Sequence, residues 1–229
     1  MTLPNFKEVL MQDGSNSSTP RRGFIGRVAA AAMGISVASL VPEEADAATS
    51  RAADAKLEAW FGKLNGKHRA VFDAPEPNSG YPAIWPRVYR MTTEASYPGE
   101  TSSAMVILRH SALPLAFQDH LWSKYKLGEQ FDLKIGDVPA TKNPYAAMTG
   151  LPITGVGIAE LMKGGVLVGA CDIAMTVYSS GAAAKMGLDP AAVRKDWVAG
   201  LLPGVVLVPS GVMAVARAQE LGAQYIFAG

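Results

Sequence analysis

Apolar runs of strand length recur along the chain at Ser103–His110, Val166–Cys171, Gly204–Pro209 and Gln224–Phe227, with His68–Asp73 ahead of them. Several are apolar at consecutive positions, with no polar residue at every second place. A strand with that pattern has to be covered on both faces, as in a parallel sheet between helices. Segments with helical signals fall between the runs, so the order is βαβαβαβαβ. That order predicts a parallel five-stranded sheet with right-handed crossovers and helices on both sides, an α/β fold.

The intervening segments carry their own punctuation. Residues Ser50 to Leu64 place Ala53, Leu57, Trp60, Phe61 and Leu64 at helical spacing and stop at Asn65-Gly66, which predicts an amphipathic packing arm. A loop at Asn78–Pro82 leads into a helix over Ile84–Thr93, and a second helix is expected over Leu115–Tyr125. Phe131 to Gly150 is rich in Asp, Pro, Thr, Asn and Gly and is long for a connection, a trait of functional loops. Gly157–Lys163 reads as a helix leading through Gly164-Gly165 into the Cys171 strand, and Ile173–Met186 as a helix closed by Gly187. Asp189-Pro190 opens another helix, and Ser210 is placed to cap one over Gly211–Leu221.

The N-terminus reads as an address. Thr19-Pro-Arg21-Arg22-Gly-Phe24-Ile25 resembles a twin-arginine (Tat) export signal, with Pro20 in place of the usual residue before the arginine pair. The apolar run Val28–Val41 has 14 residues, short of the roughly 20 that cross a bilayer. It is followed by Pro42-Glu43-Glu44 and the small-residue site Ala45-Asp46-Ala47. The expectation is a leader and cleaved signal over 1–47, passage through the Tat translocase to the periplasm, and no stable membrane anchor.

With 49% hydrophobic and 18% charged residues, the remainder has material for one core. Loss of 1–47 takes the charged residues from 21 basic and 20 acidic to 17 and 15. With no Lys/Arg run after Arg27, a nucleic-acid surface is not expected, and a small molecule or another protein is.

The chain has a single cysteine, so no disulfide closes within it. Cys171 ends a strand and enters a helix, where unpaired N–H groups and the helix dipole favour a thiolate. The other reading is a small buried hydrophobe. His110 ends the preceding strand, and if the two strands are neighbours its imidazole shares the sheet edge with the thiol as base or cationic partner. Arg109 stands beside it and, with Asp172 and Asn143, is a candidate ligand contact. Asp172 opposes a thiolate unless it turns away to cap the helix. Asn143, before Pro144, is held extended and is a candidate ligand contact. His68, His110 and His120 lack metal-ligand spacing, so no metal is expected. The glycines of 150–157 fit neither nucleotide-loop pattern, and Ser210-Gly211 is no nucleophile elbow.

From His68 to Gly229 the chain resembles the DsrE/DsrF-like sulfur-relay family. The resemblance is carried by Gly165-Val-Leu-Val-Gly-Ala-Cys171 and the helix after it. It continues in Leu201-Leu-Pro-Gly204-Val-Val-Leu-Val-Pro209-Ser-Gly-Val-Met213 and in Gln219-Glu-Leu-Gly222-Ala-Gln-Tyr225-Ile226. It implies a three-layer α/β/α domain over 68–229, preceded by the arm at 48–67 and assembled as a trimer or hexamer. It also implies a cysteine that takes up a persulfide and passes it to a partner, which falls on Cys171, with no cofactor beyond that persulfide. Family members are cytoplasmic and have a shorter loop between the second and third strands. The competing expectations are an oligomeric small-molecule-binding or scaffolding module with Cys171 as inert core, and a redox or cofactor-loading accessory protein suggested by the export route.

Overall fold

The computed structural model describes residues 54–229. The export signal predicted over 1–47 and the first residues of the predicted arm lie outside the described residues. Helix α1 occupies residues 54–61. After it come β1 (His68–Ala74), a 3-10 segment (Asn78–Ala83), α2 (Trp85–Ser96), β2 (Ser102–Leu108) and a second 3-10 segment (His110–Ala116). Next are α3 (Asp119–Lys124), α4 (Leu127–Gln130), the two-residue strands β3 (Lys134–Ile135) and β4 (Val138–Pro139), and α5 (Ile158–Lys163). The chain continues through β5 (Leu167–Cys171), α6 (Asp172–Met186), α7 (Pro190–Ala199), β6 (Val206–Val208), α8 (Gly211–Glu220) and β7 (Gln224–Phe227).

Five strands form one parallel sheet in the order β6-β5-β2-β1-β7, and β3 and β4 pair as a separate antiparallel hairpin. Successive side chains of a strand point to opposite faces. On one face Ala70, Phe72, Val106, Leu108 and Val168 meet Leu121, Met175, Ala182 and Trp197 from the helices. On the other, Val71, Met105 and Ile107 meet Trp60 and Phe61 of α1 and Ala214, Val215 and Ala218 of α8. The result is a three-layer α/β/α fold. Gly169 of β5 lets the second face close: a Cβ there would lie 2.9 Å from Ile107 Cδ1 and 3.1 Å from Trp60 Cη2.

The order of the strands explains the division of the helices. From β1 through β2 and β5 to β6 the chain steps in one direction and places its connecting helices on one face. From β6 to β7 it returns past the whole sheet. Right-handed crossovers put a connection running the opposite way on the opposite face, which is where α8 packs.

Two predicted elements differ. The helix predicted over Leu115–Tyr125 is split into the 3-10 segment and α3, with Phe117 and Gln118 extended between them. The split falls where Phe117 pairs with Leu201 in an antiparallel bridge and the Gln118 N–H donates to the Gly200 carbonyl at 2.9 Å, so tertiary pairing overrides the helical pattern. The predicted loop 131–150 contains the β3–β4 hairpin, which turns at Gly136 with φ 62°. The helix predicted from Asp189-Pro190 forms as expected, with Asp189 Oδ2 accepting from the Ala192 N–H at 2.9 Å.

Candidate functional site

The connection leaving β5 turns onto one face as α6, and the connection leaving β6 turns onto the other as α8. Where neighbouring connections diverge in this way, a crevice opens beyond the carboxyl ends of the strands. Cys171 is the last residue of β5 and pairs with Val208 of β6, so the sequence places its thiol in that crevice. A cavity of about 310 Å³ lies there. Arg109 and His110 line it from the end of β2, Cys171, Ile173, Ala174, Val177 and Tyr178 from β5 and α6, and Ser210 and Val212 from the start of α8.

Cys171 is the N-cap of α6, and its Sγ accepts from the Ala174 N–H at 3.4 Å. The thiol thus takes the place that a serine or aspartate oxygen usually holds at a helix start. Helix α8 begins beside it. A Cβ added to Gly211 would lie 2.7 Å from Arg109 Cβ and 3.3 Å from Cys171 Cβ, so glycine is what allows α8 to come this close. Two helix N-termini, of 15 and 10 residues, therefore flank the sulfur. Both favour negative charge there. Ser210 occupies the N-cap position of α8, but its side chain makes no capping hydrogen bond.

Arg109 is held by an aspartate that the sequence reading did not single out. Its Nε and Nη2 donate to Asp73 Oδ1 and Oδ2 at 2.7 and 2.9 Å, a bidentate pair. Tyr225 Oη donates to Asp73 Oδ2 at 3.1 Å. Asp73 is 5% exposed. The Arg109 guanidinium is held further toward its charged form, chiefly by the hydrogen bonds to Asp73, with smaller contributions from the charges of Asp73, Tyr225 and Cys171 working against burial. Burial, and then the bond to Asp73, push the Tyr225 hydroxyl up from its ordinary value. Burial does the same to Tyr178.

The predicted site residues divide. Cys171, His110 and Arg109 line one cavity. His110 lies just past the strand it was expected to end: β2 stops at Leu108, and His110 opens the 3-10 segment with φ 47°, its ring edge-on to Tyr178 at 5.8 Å. Asp172 does not line the cavity. Its carboxylate pairs with Arg194 of α7, which also donates to Thr176 Oγ1 at 3.1 Å. Asn143 is 7% exposed and ties backbone together. Its Nδ2 donates to the carbonyls of Leu115 and Phe117 at 3.0 and 2.7 Å, and its Oδ1 accepts from the Tyr145 N–H at 2.9 Å. The amide is thereby spent on holding the Phe131–Gly150 loop against the end of the 3-10 segment and Phe117.

His68 pairs with Glu100 at 2.6 Å at the opposite end of β1. Among the described residues no group of three His, Cys, Asp or Glu side chains is placed to hold a metal, and no helix is long and apolar enough to cross a membrane.

No family model and no curated protein matches the chain. A solved structure of a protein of unknown function from Methanobacterium thermoautotrophicum is similar to it, with a TM-score of 0.39 and 18% identity, over 70% of this chain and 99% of that one.

Proposed function

We propose that the protein is an exported, DsrE/DsrF-like sulfur carrier in which Cys171 takes up a sulfane sulfur as a persulfide and hands it to an acceptor. The observation that carries this reading is the position of the thiol. Cys171 sits at the switch point of the sheet, caps one helix, faces the start of a second and shares a cavity with Arg109 and His110. Such surroundings suit an anionic sulfur.

In the transfer, the Cys171 thiolate attacks the outer sulfur of a donor persulfide. The Sγ–S bond forms as the donor S–S bond breaks, and the donor leaves as a thiolate that takes up the proton Cys171 released. The sulfane sulfur keeps its oxidation state, so no separate oxidant is needed. His110 is exposed at the mouth of the cavity and is assigned the proton exchange.

The resemblance of residues 19–47 to an export signal supports a periplasmic location for this chemistry, and the family resemblance supports assembly as a trimer or hexamer. A second reading, a binding or scaffolding module with an inert cysteine, is favoured by the 6% exposure of Cys171.

Intact-mass measurement of native protein after incubation with polysulfide separates the two. The carrier reading expects the mass of one added sulfur atom, removed by reductant and missing from Cys171→Ala. An unmodified native protein beside a modified denatured control would rule the carrier out.

A further inference from the structure

We infer that the sulfur donor at Cys171 is a small organic persulfide with an apolar body, and not thiosulfate or another multiply charged sulfur anion. This inference rests on the carrier reading proposed above. It is drawn from how charge and apolar surface are distributed around the cavity.

The polar provision is fitted to one negative charge on sulfur. It consists of the Ala174 N–H on Sγ and the two helix starts beside it, with the His110 ring and the Ser210 hydroxyl also in the lining. Among the described residues, Arg109 is the one permanent cation lining the cavity, and it is already engaged by both oxygens of Asp73. The two charges of that pair offset one another, so among the described residues no unpaired Lys or Arg lines the cavity to receive a sulfonate. A dianion entering here would give up its hydration without an unpaired Lys or Arg in exchange.

Apart from Arg109, His110, Ser210 and Tyr178, the wall is apolar. Ile173 and Val177, one turn apart on α6, and Val212 on α8 are 62%, 49% and 67% exposed and stand on either side of the thiol. Aliphatic side chains left this open around a cavity gain by being covered. A cavity of about 310 Å³ is at the small end of ligand sites, matched to a compact organic group and not to a peptide-sized carrier. In the bound donor, R–S–SH, the terminal sulfur lies at the helix starts and R lies against Ile173, Val177 and Val212. Attack by Cys171 transfers the terminal sulfur and releases R–S⁻, which takes up one proton and leaves as R–SH.

The test compares benzyl persulfide, glutathione persulfide and thiosulfate as donors to the full folded protein. Cys171 sulfuration is followed by intact mass, and each rate is divided by the rate of the same donor with a free low-molecular-weight thiol. Benzyl persulfide is expected to load Cys171 at least about tenfold faster than either anionic donor on this scale, a difference in the range that an apolar pocket confers. Val212→Lys changes an exposed side chain and supplies an unpaired cation at the rim. It is expected to slow benzyl persulfide and to speed thiosulfate. Equal normalised rates for thiosulfate and benzyl persulfide, or no change of preference in Val212→Lys, would overturn the donor assignment while leaving sulfur carriage standing. Failure of every donor to load native Cys171, when the denatured protein is loaded, would overturn the carrier reading itself.

Discussion

Asp73→Asn should make the protein less stable and Cys171 more reactive at once. In the folded protein Asp73 accepts from Arg109 Nε, Arg109 Nη2 and Tyr225 Oη at 2.7, 2.9 and 3.1 Å, with its side chain 7% and that of Arg109 28% exposed. Asparagine keeps the shape but offers one acceptor oxygen, and it turns an N–H₂ group toward a donor it cannot satisfy. Removing one partner of a buried ion pair costs about 3–5 kcal/mol, and the partial exposure of Arg109 brings the expectation here to about 2–3 kcal/mol. For a domain of this size, at about 2–4 °C per kcal/mol, the melting temperature should fall by roughly 5–10 °C. The same substitution leaves the Arg109 charge uncompensated beside the thiol, which favours the thiolate. Labelling of Cys171 by iodoacetamide at neutral pH should therefore speed up in Asp73→Asn and slow down in Arg109→Gln, although both variants are less stable. If labelling accelerates in both, local opening and not charge governs the thiol. If it changes in neither, Arg109 is only a structural tie between β1 and β2. Either result would refute the electrostatic role given to this pair.

Gly211→Ala puts a methyl group 2.7 Å from Arg109 Cβ and 3.3 Å from Cys171 Cβ. Overpacking of that kind should cost about 1–3 kcal/mol by thermal melting, and sulfur loading should drop as α8 is displaced from the thiol. Asn143→Ala leaves the Leu115 and Phe117 carbonyls and the Tyr145 N–H without their partner. A loss of about 2–3 kcal/mol with unchanged Cys171 loading in the folded fraction is expected, and a selective loss of loading would restore Asn143 as a ligand contact. The Lys124 hydrogen bond holds the Asp196 carboxyl below its usual range, with Tyr125 contributing a second bond. Its stabilisation is complete above the unfolded carboxylate value and is lost as pH falls through the lowered folded value. The acid side of the melting-temperature profile, below about pH 4, should accordingly flatten in Asp196→Asn.

The sheet was legible in the sequence because its strands are apolar at successive positions and the connections between them carry proline, glycine and N-cap signals. The run Ser103–His110 shows where such reading stops. Apolarity marks Ala104 to Leu108, all fully buried, but nothing in the letters says that the chain leaves the sheet before His110. The left-handed backbone at His110 follows from the loop it must make, with Ala112 N–H donating to the Pro75 carbonyl across the neighbouring connection. The helix expected over Leu115–Tyr125 breaks where Phe117 pairs with Leu201, a long-range contact that no local signal announces. Asn143 illustrates a different limit. An asparagine before proline in a polar loop reads as a free polar group, and only the fold reveals two carbonyls waiting for its amide.

The site divides along the same line between local and long-range order. Cys171 could be assigned to the start of a helix from sequence alone, because strand, cysteine and helix are contiguous. Asp73 could not, since its role depends on β1 lying beside β2 and β7 and on the register that sets Asp73 against Ile107 and Phe227. That register brings Arg109 and Tyr225, 36 and 152 residues away, onto one carboxylate. A carboxylate ending the first strand of a parallel sheet lies at the edge where ligands gather, and that position was the one signal that pointed to it. What matters for chemistry is the consequence. By pairing with Arg109, Asp73 turns a crevice with a guanidinium in its wall into one whose remaining polar groups are the two helix starts at a single sulfur, His110 and the Ser210 hydroxyl. The charge the crevice accepts is thus set by a residue that need not touch the sulfur at all.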